Sequence, residues 1–309
     1  MRARTRPGSP PAVSAGGPLF ADGAPSADVT LGAFHAAYDT LIARWDVAVE
    51  AIDVPTRFGT TRVNACGPRS ASPLVLLHGG RSNSASWYAN ATALARAHRV
   101  YAPDAIGDPG RSRNTGQPVR TRQDLLNWLA DLLTDLDIRN ADICGHSFGA
   151  WLALAHTIRA PRGGVRRLAL LDPTQCFAGF APACLWHALP GMLRPTRGND
   201  TYLQWETRGA DLDPDWLALQ RLSADVPTGK IIAGRRPKAP ALHGLDVPVL
   251  VLLAERSRVH DIDTVAKRAS RALPHVTIDT LPDVSHHMIP FTRPERLNEK
   301  LTEFFTVDE

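Results

Sequence analysis

Beyond residue 30, apolar and polar positions alternate between two periods, and the sequence reads as strand and helix in turn. Leu31 to Trp45 is a short amphipathic helix, followed by strand-like segments at Val47–Val54 and Thr61–Cys66 with Arg57-Phe58-Gly59 turning between them. Leu74-Val75-Leu76-Leu77 is a continuous apolar run, as expected of a strand covered on both faces. Further strands are expected at Val100–Ala102, Ile143-Cys144, Leu168–Leu171, Val249–Leu253 and Val276–Leu281. From Arg122 to Leu136, leucines 125, 126, 129, 132, 133 and 136 recur at steps of three and four and form one apolar stripe. Thr121, three residues before Asp124, opens that helix as a variant of the capping box. Such alternation predicts an α/β fold, a mostly parallel sheet with helices on both faces.

Two stretches break the pattern. Residues 1–30 hold five Pro, four Gly, three Ser and six Ala, and are read as a disordered extension. Arg2, Arg4 and Arg6 superficially resemble the start of a signal peptide. No apolar segment follows, so a cytoplasmic protein is expected. From about Pro173 to Gly244 there is no strong strand signal, yet three of the seven Trp (Trp186, Trp205, Trp216) lie there. A helical insertion over residues 174–244, covering one edge of the sheet, is the simplest account, with the core divided into 31–173 and 245–309.

At 309 residues with 44% hydrophobic and 21% charged positions, the chain has ordinary globular composition and can bury a sizeable core. Its net charge of +4 is small, only four cations are Lys, and no basic stripe occurs, so nucleic acid is not an expected partner. No run of about 18 apolar residues is present, and a membrane-spanning helix is not expected. Cys66, Cys144, Cys176 and Cys184 lack ligand spacing, and no metal or cofactor is expected. Oligomeric state is not legible.

Gly145-His146-Ser147-Phe148-Gly149 fits G-x-S-x-G, with the strand Ala141–Gly145 before it and the Ala-rich run Ala150–Ala160 after it. A serine on such a strand-to-helix turn is held strained with its hydroxyl above the sheet, and flanking glycines are needed because a Cβ would meet backbone. His78-Gly79-Gly80 leaves the apolar strand 74–77. The N–H of Gly80, or of Arg81, is expected to pair with that of Phe148 as an oxyanion hole, where one donor contributes about 3 kcal/mol. Among the residues of the inserted stretch and turn, Arg81, Trp205 and Met192 are candidate substrate contacts.

These motifs resemble the α/β-hydrolase superfamily over roughly residues 35–306. Tyr38-Asp39, Thr56-Arg57-Phe58-Gly59-Thr60, Leu77-His78-Gly79, Ile106-Gly107-Asp108-Pro109-Gly110-Arg111-Ser112 and Asn127-Trp128-Leu129 are similar to bacterial carboxylesterases of the naproxen-esterase type. The resemblance implies the α/β-hydrolase fold with an eight-stranded sheet, a helical cap and a cofactor-free Ser-His-acid triad, with Ser147 as nucleophile. It also implies that the loop 106–112 is mainly structural, which sets Asp104 and Asp108 aside.

For the base, counting from the last strand selects His286 and counting back from Pro294-Glu295 selects His287; His286 is preferred. For the acid, the family's usual place past the seventh strand is taken by Ser257, which cannot stabilise an imidazolium by charge. Asp172 at the end of the sixth strand, Asp261 and Glu255 remain candidates, with Asp172 first and Asp261 the main alternate. The activity implied is hydrolysis of small to medium carboxylic esters through an acyl-enzyme on Ser147. Amide, thioester or C–C hydrolysis and perhydrolysis use the same triad. A ligand-binding module on a weakened hydrolase scaffold is the rival that Ser257 suggests.

Overall fold

The computed structural model describes residues 27–193 and 195–306. Eight strands in chain order, β1 (Glu50–Thr56), β2 (Gly59–Cys66), β3 (Ser72–Leu77), β4 (His98–Pro103), β5 (Ala141–His146), β6 (Val165–Leu171), β7 (Val249–Ala254) and β8 (Val276–Leu281), form one sheet in the order β1-β2-β4-β3-β5-β6-β7-β8. The β1–β2 and β2–β4 pairs are antiparallel and the remainder parallel. The helices are α1 (Ala27–Ala43), α2 (Ala91–Leu94), α3 (Arg122–Asp135), α4 (Phe148–Thr157), α5 (Pro182–Leu193), α6 (Pro195–Glu206), α7 (Pro214–Ser223), α8 (Ala239–His243), α9 (Ile262–Ala272) and α10 (Pro294–Thr306).

The apolar runs read from the sequence divide by parity, because successive side chains of a strand point to opposite faces. Val75, Leu77, Ile143, Val251 and Leu253 pack with Leu125, Trp128 and Leu129 of α3 and Val265 of α9 on one face. Leu74, Leu76, Cys144, Leu250 and Leu252 pack with Phe34 of α1, Leu94 of α2 and Leu301 of α10 on the other. Both faces of the sheet are covered, which is why β7 needs an unbroken Val-Leu-Val-Leu-Leu-Ala sequence, buried at every position. The start of α3 carries a full capping box: Asp124 N–H donates to Thr121 Oγ1 while the Asp124 carboxylate accepts from Thr121 N–H. All four cysteines are free and buried.

α1 starts at Ala27, four residues before the expected Leu31. The expected extension lies outside the described residues apart from its last four positions. Between β6 and β7 stand α5 to α8, with no strand among the described residues of that stretch. Its contacts run across the C-terminal ends of the strands rather than along one edge of the sheet. Gly229 N–H donates to Gly107 O, Trp151 Nε1 donates to Arg235 O, and Arg44 of α1 pairs with Asp213 at the start of α7. The reason is topological: β6 lies inside the sheet, so the chain leaving it emerges over the strand ends. No helix among the described residues is long and apolar enough to cross a membrane.

Candidate active site

Ser147 joins β5 to α4 with φ 55° and ψ −116°, a conformation an L-residue holds only where its surroundings impose it, at about 1–3 kcal/mol. The neighbouring glycines leave no alternative. A Cβ on Gly149 would lie 2.3 Å from Leu77 O, and one on Gly145 would lie 2.4 Å from Gly149 O. Ser147 N–H still donates to Leu171 O (2.9 Å), and Asp172 N–H to Leu252 O (2.7 Å), so the parallel ladder continues one step past β5 and β6. Ser147 and Asp172 thereby become neighbours at the ends of adjacent strands.

His286 bridges them from the loop after β8. Its Nε2 is 2.8 Å from Ser147 Oγ and its Nδ1 is 2.6 Å from Asp172 Oδ2. A carboxylate at Nδ1 requires that nitrogen to carry the proton, which leaves Nε2 to accept from the serine hydroxyl. Asp172 is fully buried and takes three further donors. These are Ser257 Oγ to Oδ2 (2.7 Å), Ala254 N–H to Oδ1 (3.1 Å) and His260 Nε2 to Oδ1 (3.1 Å). Burial alone would raise its pKa, but His260 and His286 outweigh burial and hold the carboxyl well below its ordinary range. His286 is shifted the other way: burial lowers it, Asp172 opposes, and the net direction is down.

The other candidates are occupied elsewhere. Asp261 is the N-cap of α9, accepting from Thr264 N–H at 2.6 Å on the surface. Glu255 is exposed and accepts from Asp283 N–H at 2.8 Å. Among the described residues neither is bonded to His286. His287 turns away from Ser147, with Nδ1 3.0 Å from Glu206 Oε2. Asp104 is a buried structural hub, accepting from Ser84 N–H and Oγ, Tyr38 Oη and Arg111 N–H.

At the expected oxyanion hole, Phe148 is the first residue of α4, so its N–H has no partner within the helix. A Cβ on Gly80 would stand 3.4 Å from Phe148 Cβ, which brings the two turns face to face. Arg81 N–H is taken, donating to Asp108 Oδ1 at 3.1 Å, and that corrects the alternative assignment of this donor. The Arg81 guanidinium donates to Thr228 Oγ1 (3.2 Å). Trp205 is half-buried, stacked on His187 with centroids 4.3 Å apart, and the Arg258 guanidinium sits 5.0 Å from its ring centre. The Met192 side chain lies outside the described residues.

Three residues near the centre escaped sequence reasoning. His260 supports Asp172 as above. His146 is buried, with Nε2 2.9 Å from His286 O; burial drives its pKa well down, so it is the neutral ring that donates to the carbonyl. Glu206 is fully buried at the end of α6 and accepts from the His286 loop. Only His146 lay within a motif. Among the described residues no group of three or more His, Cys, Asp or Glu side chains could hold a metal ion.

Residues 74–300 match the model of the alpha/beta hydrolase family. Carboxylesterase YbfK of Bacillus subtilis is 31% identical over 282 residues, covering 88% of this chain and 93% of the relative. The crystal structure of that carboxylesterase superposes with a TM-score of 0.83 over 90% of this chain and 99% of the other. The crystal structure of naproxen esterase from Bacillus subtilis gives 0.81 at 28% identity, over 94% of this chain and 100% of the other. A 2-hydroxymuconate semialdehyde hydrolase of Pseudomonas sp. is 35% identical over 222 residues, covering 70% of this chain and 71% of the relative. Both the eight-stranded fold and the resemblance to naproxen-esterase-type carboxylesterases are borne out, and the chain belongs to the alpha/beta hydrolase family.

Proposed function

We propose that the protein hydrolyses small to medium carboxylic esters through an acyl-enzyme on Ser147. The observation that carries this reading is the unbroken hydrogen-bonded path from Asp172 through His286 to Ser147 Oγ. As Ser147 Oγ bonds to the ester carbonyl carbon, its proton passes to His286 Nε2, and the carbonyl π pair moves onto oxygen. The N–H groups of Gly80 and Phe148 receive that oxyanion. Asp172 stabilises the imidazolium while remaining ionised. Collapse of the intermediate breaks the C–O bond, and the alcohol departs with the Nε2 proton. Water then adds by the same route, returns a proton to Ser147 Oγ through His286, and releases the acid.

Helices α5 to α8 act as a cap in this reading, with Trp205 and Arg81 at the rim of the acyl site. The carboxylesterase names of YbfK and naproxen esterase support esters as the substrate class. Ser257 had suggested a weakened scaffold; its bond to Asp172 instead supports a working acid displaced to β6.

A fluorophosphonate probe tests the reading. The folded wild-type chain labels stoichiometrically, and Ser147→Ala abolishes labelling and turnover of p-nitrophenyl butyrate, a loss of about 10⁶ in kcat. Folded wild-type protein that resists the probe would instead support a binding module.

A further inference from the structure

Beside the Ser147–His286–Asp172 path stands a buried carboxylate that the path does not use. Glu206 is the last residue of α6 and is fully buried. Both facts work against a carboxylate, because a helix C-terminus is the negative end of its dipole and burial strips away water. Four donors offset this, all from one loop. His286 N–H donates to Oε1 at 2.9 Å, while Ser285 Oγ (3.1 Å), His287 N–H (3.3 Å) and His287 Nδ1 (3.0 Å) converge on Oε2. The His287 ring also stands edge-on to Tyr202 of α6 at 5.5 Å, so the loop is gripped twice by the same helix.

We infer that Glu206 is a positioning residue that ties the catalytic histidine loop to helix α6. His286 has three anchors besides Ser147: Asp172 on the ring, His146 on the backbone carbonyl, and Glu206 on the backbone N–H. The first stands just past the end of β6 and the second is the last residue of β5. Glu206 comes from the stretch between β6 and β7, whose own attachments to the core are side-chain and loop contacts. Movement of α6 therefore moves the base, and a substrate that seats α6 seats His286. This inference rests on the serine-hydrolase reading above.

Charge adds a second signature. The ionisable groups facing Glu206 are His286 and His287 of the loop, Tyr202 of α6 and Cys184 of α5; those facing His286 are Asp172, His146, His260, His287 and Glu206. Burial pulls the Glu206 carboxyl upward, but the bond and charge of His287 and the charge of His286 outweigh it and bring it to about 2. Glu206 is thus ionised throughout the working range, and its charge favours the imidazolium of His286.

The experiment compares the full chain with Glu206→Gln, using p-nitrophenyl butyrate and counting active sites with the fluorophosphonate. Glu206→Gln lowers kcat per labelled site about a hundredfold, the cost of a small misplacement of a catalytic group. KM stays within about twofold, and the acid limb of kcat/KM moves to lower pH. A purely structural role would lower Tm and leave both kcat per labelled site and the acid limb unchanged, and that result overturns the inference. Glu206→Asp keeps the charge and shortens the reach, and carries the test if the Gln variant does not fold. Reduced kcat with the wild-type acid limb supports positioning; wild-type kcat overturns it. A wild-type chain that neither labels nor turns over would sink the hydrolase reading and this one with it, whereas a labelled wild type with an indifferent variant sinks this one alone.

Discussion

The turn that carries Ser147 is held by backbone. Its strained φ, two glycines with no room for a Cβ and a ladder that runs on to Leu171 O leave the hydroxyl one place to be. The loop that carries His286 has a backbone tie of its own, Arg256 N–H to Val284 O, but the histidine itself is positioned by side chains reaching in from β5, the end of β6 and α6. One half of the site is thus set by close packing of main chain, which any distortion of the sheet must break. The other half is set by individual hydrogen bonds, each of which a single substitution removes. In the proposed mechanism the covalent bond forms on the half held by main chain, and the proton moves on the half held by side chains.

Substitutions on the adjustable half sharpen this contrast. The largest effect is expected at the acid. Asp172→Asn leaves Ser147 on its turn but deprives His286 Nδ1–H of a charged acceptor, and kcat falls by about 10⁴. Retention of most of the activity would return the role to another carboxylate. Next in size is a pH effect. Burial disfavours the imidazolium, so the folded pKa of His286 lies below the ordinary 6.5. The base is then neutral at neutral pH, and activity falls only as pH drops through a midpoint below 6.5. The same depression means that the histidine's contribution to stability is intact above its unfolded pKa and lost as pH falls. A kcat/KM profile with its acid midpoint above 6.5 contradicts this. The smallest effect is expected at Asp261→Ala, which removes the α9 cap and about 1 kcal/mol of stability, read as a lower Tm, with kcat unchanged.

The same contrast accounts for how much the sequence disclosed. Strands announce themselves where both faces are buried, so β3, β6 and β7 were plain from their apolar runs. Ser147 was legible because backbone crowding demands glycine, and glycine at fixed offsets is a pattern. The acid was legible only as a ranking with Asp172 first, since Asp172, Asp261 and Glu255 are all carboxylates near strand ends. Strand register decides among them, by setting Asp172 beside Ser147. His286 and His287 are adjacent, and their opposite directions depend on which carboxylate each faces. Glu206 left no trace in any motif, because its partners lie some eighty residues away and meet it only through the packing of α6.

Ser257 has a wider consequence. In the proposed mechanism the acid is Asp172, just past β6, and the segment after β7 need not furnish a charge, a task open to two residue types. It furnishes donors instead, and hydroxyl, imidazole and amide hydrogens all qualify, as Ser257, His260 and Ala254 do around Asp172. A requirement with many acceptable answers constrains descent less than one with two. Under that mechanism, a substitution in this segment is tolerated as long as it keeps a donor to Asp172.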